Sequence, residues 1–281
     1  MPVAVTSNIE FVRRGSRSLT GDLYFPSGGA RVPIMIAIHG GGWKRGDKAF
    51  YRFIGPYLAE RGIAVFSVNY RLVDPETGAD AYPAAVHDVR AAVQYVRSRA
   101  HDLNIDPDRI ALMGDSAGGH LSALVALAGD RKPFAGTQEE AFPGVSSRCK
   151  AVVGVYGVYD LVAQWRHDQI SRPRDQISEI FVGRSPIDDR EVFYEASPLT
   201  YATTAGNKTS FLLVWGESDD VVDHTTQSVV MLEALQQAKY FVRTVIMHDA
   251  PHFWISDPLD EHDSFSARLM PRLYRFLSEQ L

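Results

Sequence analysis

An α/β architecture with a mostly parallel, doubly wound sheet follows from three features of this 281-residue chain. Apolar runs rich in β-branched residues recur along it, helically spaced segments separate them, and most of the runs are continuous rather than alternating. Continuous runs are what strands covered on both faces require. In order they are PIMIAI at 33–38, IAVFSV at 63–68, IALM at 110–113, AVVGVY at 151–156, FLLVW at 211–215 and FVRTVIM at 241–247. Ahead of them, NIEFVRR and GDLYFP alternate apolar with polar residues and read as an N-terminal antiparallel hairpin. Helical spacing occupies 49–61, 83–99, 117–128, 223–238 and 263–279. In the second of these, Ala85, Val89, Ala92, Val93 and Val96 form one stripe behind Pro83, a residue suited to a first helical turn. The stretch 157–209 is too long for a plain crossover, and it is expected to fold as a small helical cap on a single domain spanning 1–281.

Composition narrows the possible partners. Apolar residues make up 45% and charged residues 22%, ordinary values for a globular protein. A net charge of −5 with no basic stripe argues against nucleic acid. Cys149 is the single cysteine, so no intrachain disulfide can form and a reducing compartment is expected, with Cys149 itself a small core residue. The opening MPVAVTSNIEFVRRG lacks the pattern of a signal peptide, and no apolar run is long enough for a membrane span. The expectation is a soluble cytoplasmic protein that needs no membrane. Its oligomeric state is left open, a homodimer being one option.

The chemistry concentrates in GDSAGGH, 114–120. Ser116 follows the strand IALM and precedes a helix, in a G-x-S-x-G frame whose glycines permit a sharp strand-to-helix turn. Such a turn exposes the hydroxyl at the sheet's edge, beside the free N–H groups of a helix start. A serine needs a base to become a nucleophile, and two later strands supply candidates. After FLLVWG come Asp219 and Asp220, and after FVRTVIM come His248 and His252. Asp219 is reached first and is taken as the acid, leaving Asp220 solvated and Asp223 to cap the next helix. His252, beyond Pro251, is taken as the base, with His248 a strand-end residue. The His248–His252 spacing is that of a metal-binding helix, but Pro251 and the missing glutamate argue against a metal.

HGGGWKRG at 39–46 directly follows PIMIAI. Its glycines leave backbone amides open to a developing oxyanion; Gly41 and Gly42, with the amide of Ala117, are the candidate donors, and His39 is expected to brace the loop. A phosphate loop would need a G-K-[ST] ending, which is missing.

H-G-G-G-W at 39–43, N-Y-R-L at 69–72, G-D-S-A-G-G at 114–119, G-x-x-D at 216–219 and P-H at 251–252 together resemble the α/β-hydrolase superfamily. The resemblance lies close to the hormone-sensitive-lipase-type esterases and small carboxylesterases and spans roughly 8–280. It implies an α/β-hydrolase fold and cofactor-free hydrolysis of small carboxylic esters through an acyl-enzyme, with Ser116, Asp219 and His252 as the triad. Lipase-type members carry a substantial helical cap ahead of the H-G-G-G strand. The short stretch before Pro33 shifts the resemblance toward small feruloyl and acetyl esterases and toward arylformamidases, which would use the same triad on a C–N bond. A ligand receptor that keeps the fold without catalysis is a third possibility, and receptors of that kind typically lack a triad member.

Trp43, Tyr156, Trp165, Phe181 and Phe253 are candidate walls of an apolar substrate pocket, with core packing the competing role for each. Asp115 is expected to brace a loop, Asp88 to fix the N-Y-R-L turn through Arg71, and DDREVFYE at 188–195 to be a solvated helix face.

Overall fold

The computed structural model describes residues 2–28 and 31–281. Its elements run β1 (Val3–Arg14), β2 (Arg17–Pro26), β3 (Val32–Ile38), α1 (Ile54–Ala59), β4 (Ala64–Val68), α2 (Ala84–Ser98), β5 (Ile105–Asp115), α3 (Ala117–Ala128), β6 (Ala151–Val155), α4 (Leu161–Ser171), α5 (Ile177–Val182), α6 (Arg190–Ala196), β7 (Ser210–Gly216), α7 (Ser228–Gln237), β8 (Val242–Met247) and α8 (Phe265–Gln280). The strands make one eight-stranded sheet in the order β1-β2-β4-β3-β5-β6-β7-β8. β1 and β2 form the antiparallel hairpin, β2 joins β4 antiparallel, and every later pairing is parallel.

Two cores, one on each face, follow from the two-residue period of the strands. Ile34, Ile36, Ile38, Leu112 and Val152 point to the side covered by α2, α3 and α7. Met35, Ala37, Met113 and Val153 point to the side covered by α1 and α8. The central strands β4, β6 and β7 are therefore buried along their whole length, whereas β8, at the edge, buries only Val245 and Met247.

Several boundaries differ from the sequence reading for local reasons. The helix expected over 49–61 splits into a short 3₁₀ turn, Lys48–Tyr51, and α1. The restart puts Pro56 in the first turn of α1, where its missing N–H costs nothing. The helix expected over 223–238 begins only at Ser228. Asp223 does not cap it: its carboxylate accepts from Thr225 N (3.1 Å) and from the hydroxyls of Thr225 and Thr226, closing a separate turn. The segment between β6 and β7 folds as α4, α5 and α6 with two short 3₁₀ turns. In its last helix Phe193 is fully buried, so 188–195 is amphipathic rather than a wholly solvated face.

Asp88, buried on α2, ties the first strand and the N-Y-R-L turn to the helix layer. It accepts from Arg71 Nε at 2.8 Å, Arg71 N at 2.9 Å and Arg14 Nε at 3.0 Å. Asp88→Ala would leave two largely buried guanidinium groups with only the half-exposed Glu139 carboxylate in common and several donors unpaired. We expect a loss of about 1–3 kcal/mol, read from the shift of the urea unfolding midpoint; a shift within the error of the midpoint would refute the role.

Candidate active site

β5 ends at Asp115 and α3 starts at Ala117, so Ser116 alone makes the turn, at φ 51°, ψ −118°. A non-glycine residue rarely adopts this backbone, and its surroundings hold it there. Ser116 N donates to Val155 O at 2.9 Å, and a Cβ on Gly118 would collide with the carbonyl oxygens of Ile38 and His39. Only glycine lets α3 begin so close to the end of β3.

The loops after β7 and β8 meet above this turn. Glu217 N donates to Met247 O at 3.2 Å and Ser218 N to Ala250 O at 3.1 Å, locking the two loops together. In them, His252 Nε2 lies 3.0 Å from Ser116 Oγ and His252 Nδ1 lies 2.6 Å from Asp219 Oδ2. The other carboxylate oxygen of Asp219 accepts from Val221 N and Val222 N, both at 2.9 Å, which fixes its orientation. The His252 ring packs against Tyr156 and Phe253, each with a centroid separation of 4.4 Å. His248 points away, 77% exposed, with Nδ1 2.7 Å from Glu217, and Asp220 is exposed.

In the loop after β3, which meets the residue before Ser116 through Gly40 and Asp115, three consecutive residues have left-handed backbones: Gly41 (φ 108°), Gly42 (φ 60°) and Trp43 (φ 58°). Among the described residues no acceptor is hydrogen-bonded to the amides of Gly41, Gly42 or Ala117. The loop is braced from below. Asp115 Oδ1 accepts from Gly40 N and from the Tyr51 hydroxyl, both at 3.0 Å. His39 stacks on Tyr70 at 4.3 Å, holds Gly40 O at 2.8 Å through Nδ1, and Tyr70 OH donates to His39 O at 2.9 Å. No motif marks Tyr51, and His120, the last residue of GDSAGGH, stands one helical turn after Ser116 with nothing in the spacing to assign it a role.

The helical segment between β6 and β7 is tied to the site at several points. Gln164 Nε2 donates to Val221 O at 3.0 Å, His167 Nε2 lies 3.0 Å from Asp220 O, and Lys44 pairs with Asp175. Three of the expected pocket aromatics prove to be core residues. Trp43 and Phe181 stack face to face at 4.4 Å with no exposed surface, and Tyr156 backs the His252 ring at 1% exposure. Each supports the site from behind because its ring is spent on packing. Trp165 is half-buried with Nε1 on Glu179 at 3.0 Å, and Phe253 is 53% exposed, so these two retain surface for a ligand.

The BD-FAE family profile matches residues 21–235, most of the chain and most of the sheet. The chain belongs to the BD-FAE family. It is 31% identical over 192 residues to esterase LipC of Mycobacterium tuberculosis, covering 68% of this chain and 45% of that protein. To esterase LipQ of the same organism it is 30% identical over 239 residues, covering 84% and 53%. The chain thus spans about half the length of the curated relatives it matches. The propionate-bound esterase Est2 of Thermogutta terrifontis superposes with a TM-score of 0.78 at 22% identity, covering 99% of this chain and 94% of that one. That likeness establishes the α/β-hydrolase fold for this BD-FAE chain. No helix among its described residues is long and apolar enough to cross a membrane.

Burial sets the protonation of the bracing groups in this BD-FAE site. It lowers His39 and His120 to about 4 and raises Asp115 to about 6, the last opposed by the Tyr51 hydrogen bond and the neighbouring His252. Between pH 6.5 and 4 the unfolded chain would take up two protons, at His39 and His120, that the folded chain refuses. Their stabilisation is complete above pH 6.5 and lost as the pH falls toward 4. Asp115 runs the other way, since the folded state holds its proton below about 6. One histidine's worth remains, about 3 kcal/mol of stability lost on acidification through this window. Imidazole nitrogen resonances should show both rings neutral at pH 5; a titration midpoint near 6.5 for either would refute this.

Proposed function

We propose that this chain is a serine carboxylesterase that hydrolyses short- to medium-chain or aryl carboxylic esters through an acyl-enzyme. The observation that carries the proposal is the unbroken row Ser116 Oγ, His252 Nε2, His252 Nδ1, Asp219 Oδ2, with steps of 3.0 Å and 2.6 Å beside unpartnered backbone amides. The esterase names of the curated relatives support the same class of reaction.

In this mechanism His252 Nε2 takes the Ser116 hydroxyl proton as Oγ attacks the ester carbonyl carbon. Asp219 accepts from Nδ1–H, which selects the tautomer with a free Nε2 and stabilises the imidazolium that forms. The carbonyl oxygen, now carrying the negative charge, meets the amides of Gly41, Gly42 and Ala117, which are already in place and need no reorganisation. Collapse of the tetrahedral intermediate breaks the bond to the alcohol oxygen, which leaves with the proton from His252. Water then repeats the sequence on the acyl-enzyme and releases the carboxylic acid. No cofactor enters any step.

The single domain and its segment 157–209 fit this scheme if the segment caps the substrate, with Trp165 and Phe253 contributing apolar wall. The single cysteine accords with a cytoplasmic setting.

Ser116→Ala should remove turnover of p-nitrophenyl acetate, on the order of a millionfold in kcat, with an unchanged circular dichroism spectrum. Undiminished turnover in the folded variant would refute the mechanism. At equal enzyme concentration kcat/KM should be higher for p-nitrophenyl acetate and butyrate than for N-formylkynurenine; the reverse order would make the enzyme a formamide hydrolase with the same residues.

A further inference from the structure

His120 joins three parts of the molecule that the chemistry needs in register. It lies on α3 one turn after Ser116, and His120 N donates to Ser116 O at 3.0 Å. Its ring is fully buried, edge-on to Trp43 and to Phe181 with centroids 5.1 Å away in both cases. Trp43 Nε1 lies 3.2 Å from His120 Nδ1, and His120 Nε2 lies 2.7 Å from Ala196 O. An indole N–H can only donate, so Nδ1 is the acceptor and the proton is on Nε2. That proton points at a carbonyl in the last turn of α6, where helix carbonyls lack intrahelical partners.

The consequence falls on the loop that faces the nucleophile. Trp43 directly follows Gly41 and Gly42 and is itself held at φ 58°, a backbone unfavourable for a bulky side chain. The directions of the preceding amides depend on that backbone staying put. Its side chain is anchored by the stack on Phe181 and by one hydrogen bond, the one to His120. The stack can slide in its own plane, whereas the hydrogen bond fixes rotation and depth.

We infer that His120 is a positioning residue for the oxyanion loop, holding Trp43 through Nδ1 and the end of the helical segment through Nε2–H. This rests on the esterase reading of Ser116 given above. Because the oxyanion forms only in the transition state, loosening these amides should lower kcat and leave KM nearly unchanged.

Three enzymes are compared on p-nitrophenyl butyrate well below their unfolding temperatures: the parent protein, His120→Leu and His120→Gln. Leucine fills the space with no polar atom. Glutamine offers an acceptor and a donor about as far apart as the two ring nitrogens. His120→Leu should lose at least tenfold in kcat with KM within about threefold, and His120→Gln should stay within about threefold of the parent. A smaller loss in the leucine variant, a loss carried by KM, or a glutamine variant no better than leucine would overturn the inference. Should His120→Leu not fold, Trp43→Phe removes only the indole donor and should lower kcat at least fivefold at unchanged KM; an unchanged kcat would overturn it. Absence of esterase activity in the parent protein would instead defeat the reading of Ser116, so the two failures are distinct.

Discussion

At Gly118 the backbone of α3 lies against the carbonyl oxygens of Ile38 and His39, and at Gly119 it lies against Gly157. No side chain separates helix from strand ends at these points, so the start of α3 is fixed by backbone contact. Ser116 inherits its position from that contact. Its left-handed conformation could not persist on an exposed, freely jointed turn, because relaxation to an ordinary backbone would be downhill. Here relaxation would have to move a fully packed helix. The same neighbourhood brings the start of the loop after β3 against the end of β5, with Gly40 N on Asp115 Oδ1, because β3 and β5 are neighbours in the sheet. The loops that carry Asp219 and His252 leave β7 and β8 at the same carboxyl edge, where open parallel sheets gather their ligand sites.

Polarity is distributed unevenly around this point. Above the serine, the amides of Gly41, Gly42 and Ala117 have no protein acceptor among the described residues. Below it, the polar groups that hold the loop are spent on one another: Asp115 on Gly40 N and Tyr51, His39 on Gly40 O, His120 between Trp43 and Ala196. Burial keeps both imidazoles neutral at physiological pH, because desolvation outweighs the hydrogen bonds to Gly40 O and Ala196 O and, for His39, the charge of Asp47. Asp115, raised only to about 6, stays the charged member of this layer near neutral pH, and its carboxylate is held by Gly40 N and the Tyr51 hydroxyl.

Most of the fold was legible in the sequence because parallel strands must be apolar on both faces, and their runs therefore stand out. The boundaries that shifted were those where a side chain competes with the helix for its backbone, at Pro56 and at Asp223 with its two threonines. The residues now within hydrogen-bond reach of one another, Ser116, Asp219 and His252, were named from G-x-S-x-G and two loops because each follows a strand end. The aromatics were harder. Trp43 and Phe181 sit in stretches compatible with pocket or core, and only their mutual stack decides the matter. Tyr51 lies in a segment with ordinary helical spacing, so nothing local marks its hydroxyl as the partner of an acid 64 positions away.

The segment between β6 and β7 carries the last step. Among its contacts are those to the loop of Asp219, through Gln164 and His167, to the loop of Gly41 and Gly42, through Asp175 and Phe181, and to α3, through the His120–Ala196 bond. A displacement of these helices would therefore reach the loops of Asp219 and of Gly41 and Gly42, and His120 on α3, while the contact at Gly118 holds the start of α3 to the end of β3. In the mechanism proposed above, movement of this segment would act on the amides proposed to hold the oxyanion and on the loop of Asp219. In that mechanism the strand ends hold the attacking hydroxyl, and the helices above them bear on the groups that would stabilise the charge it creates.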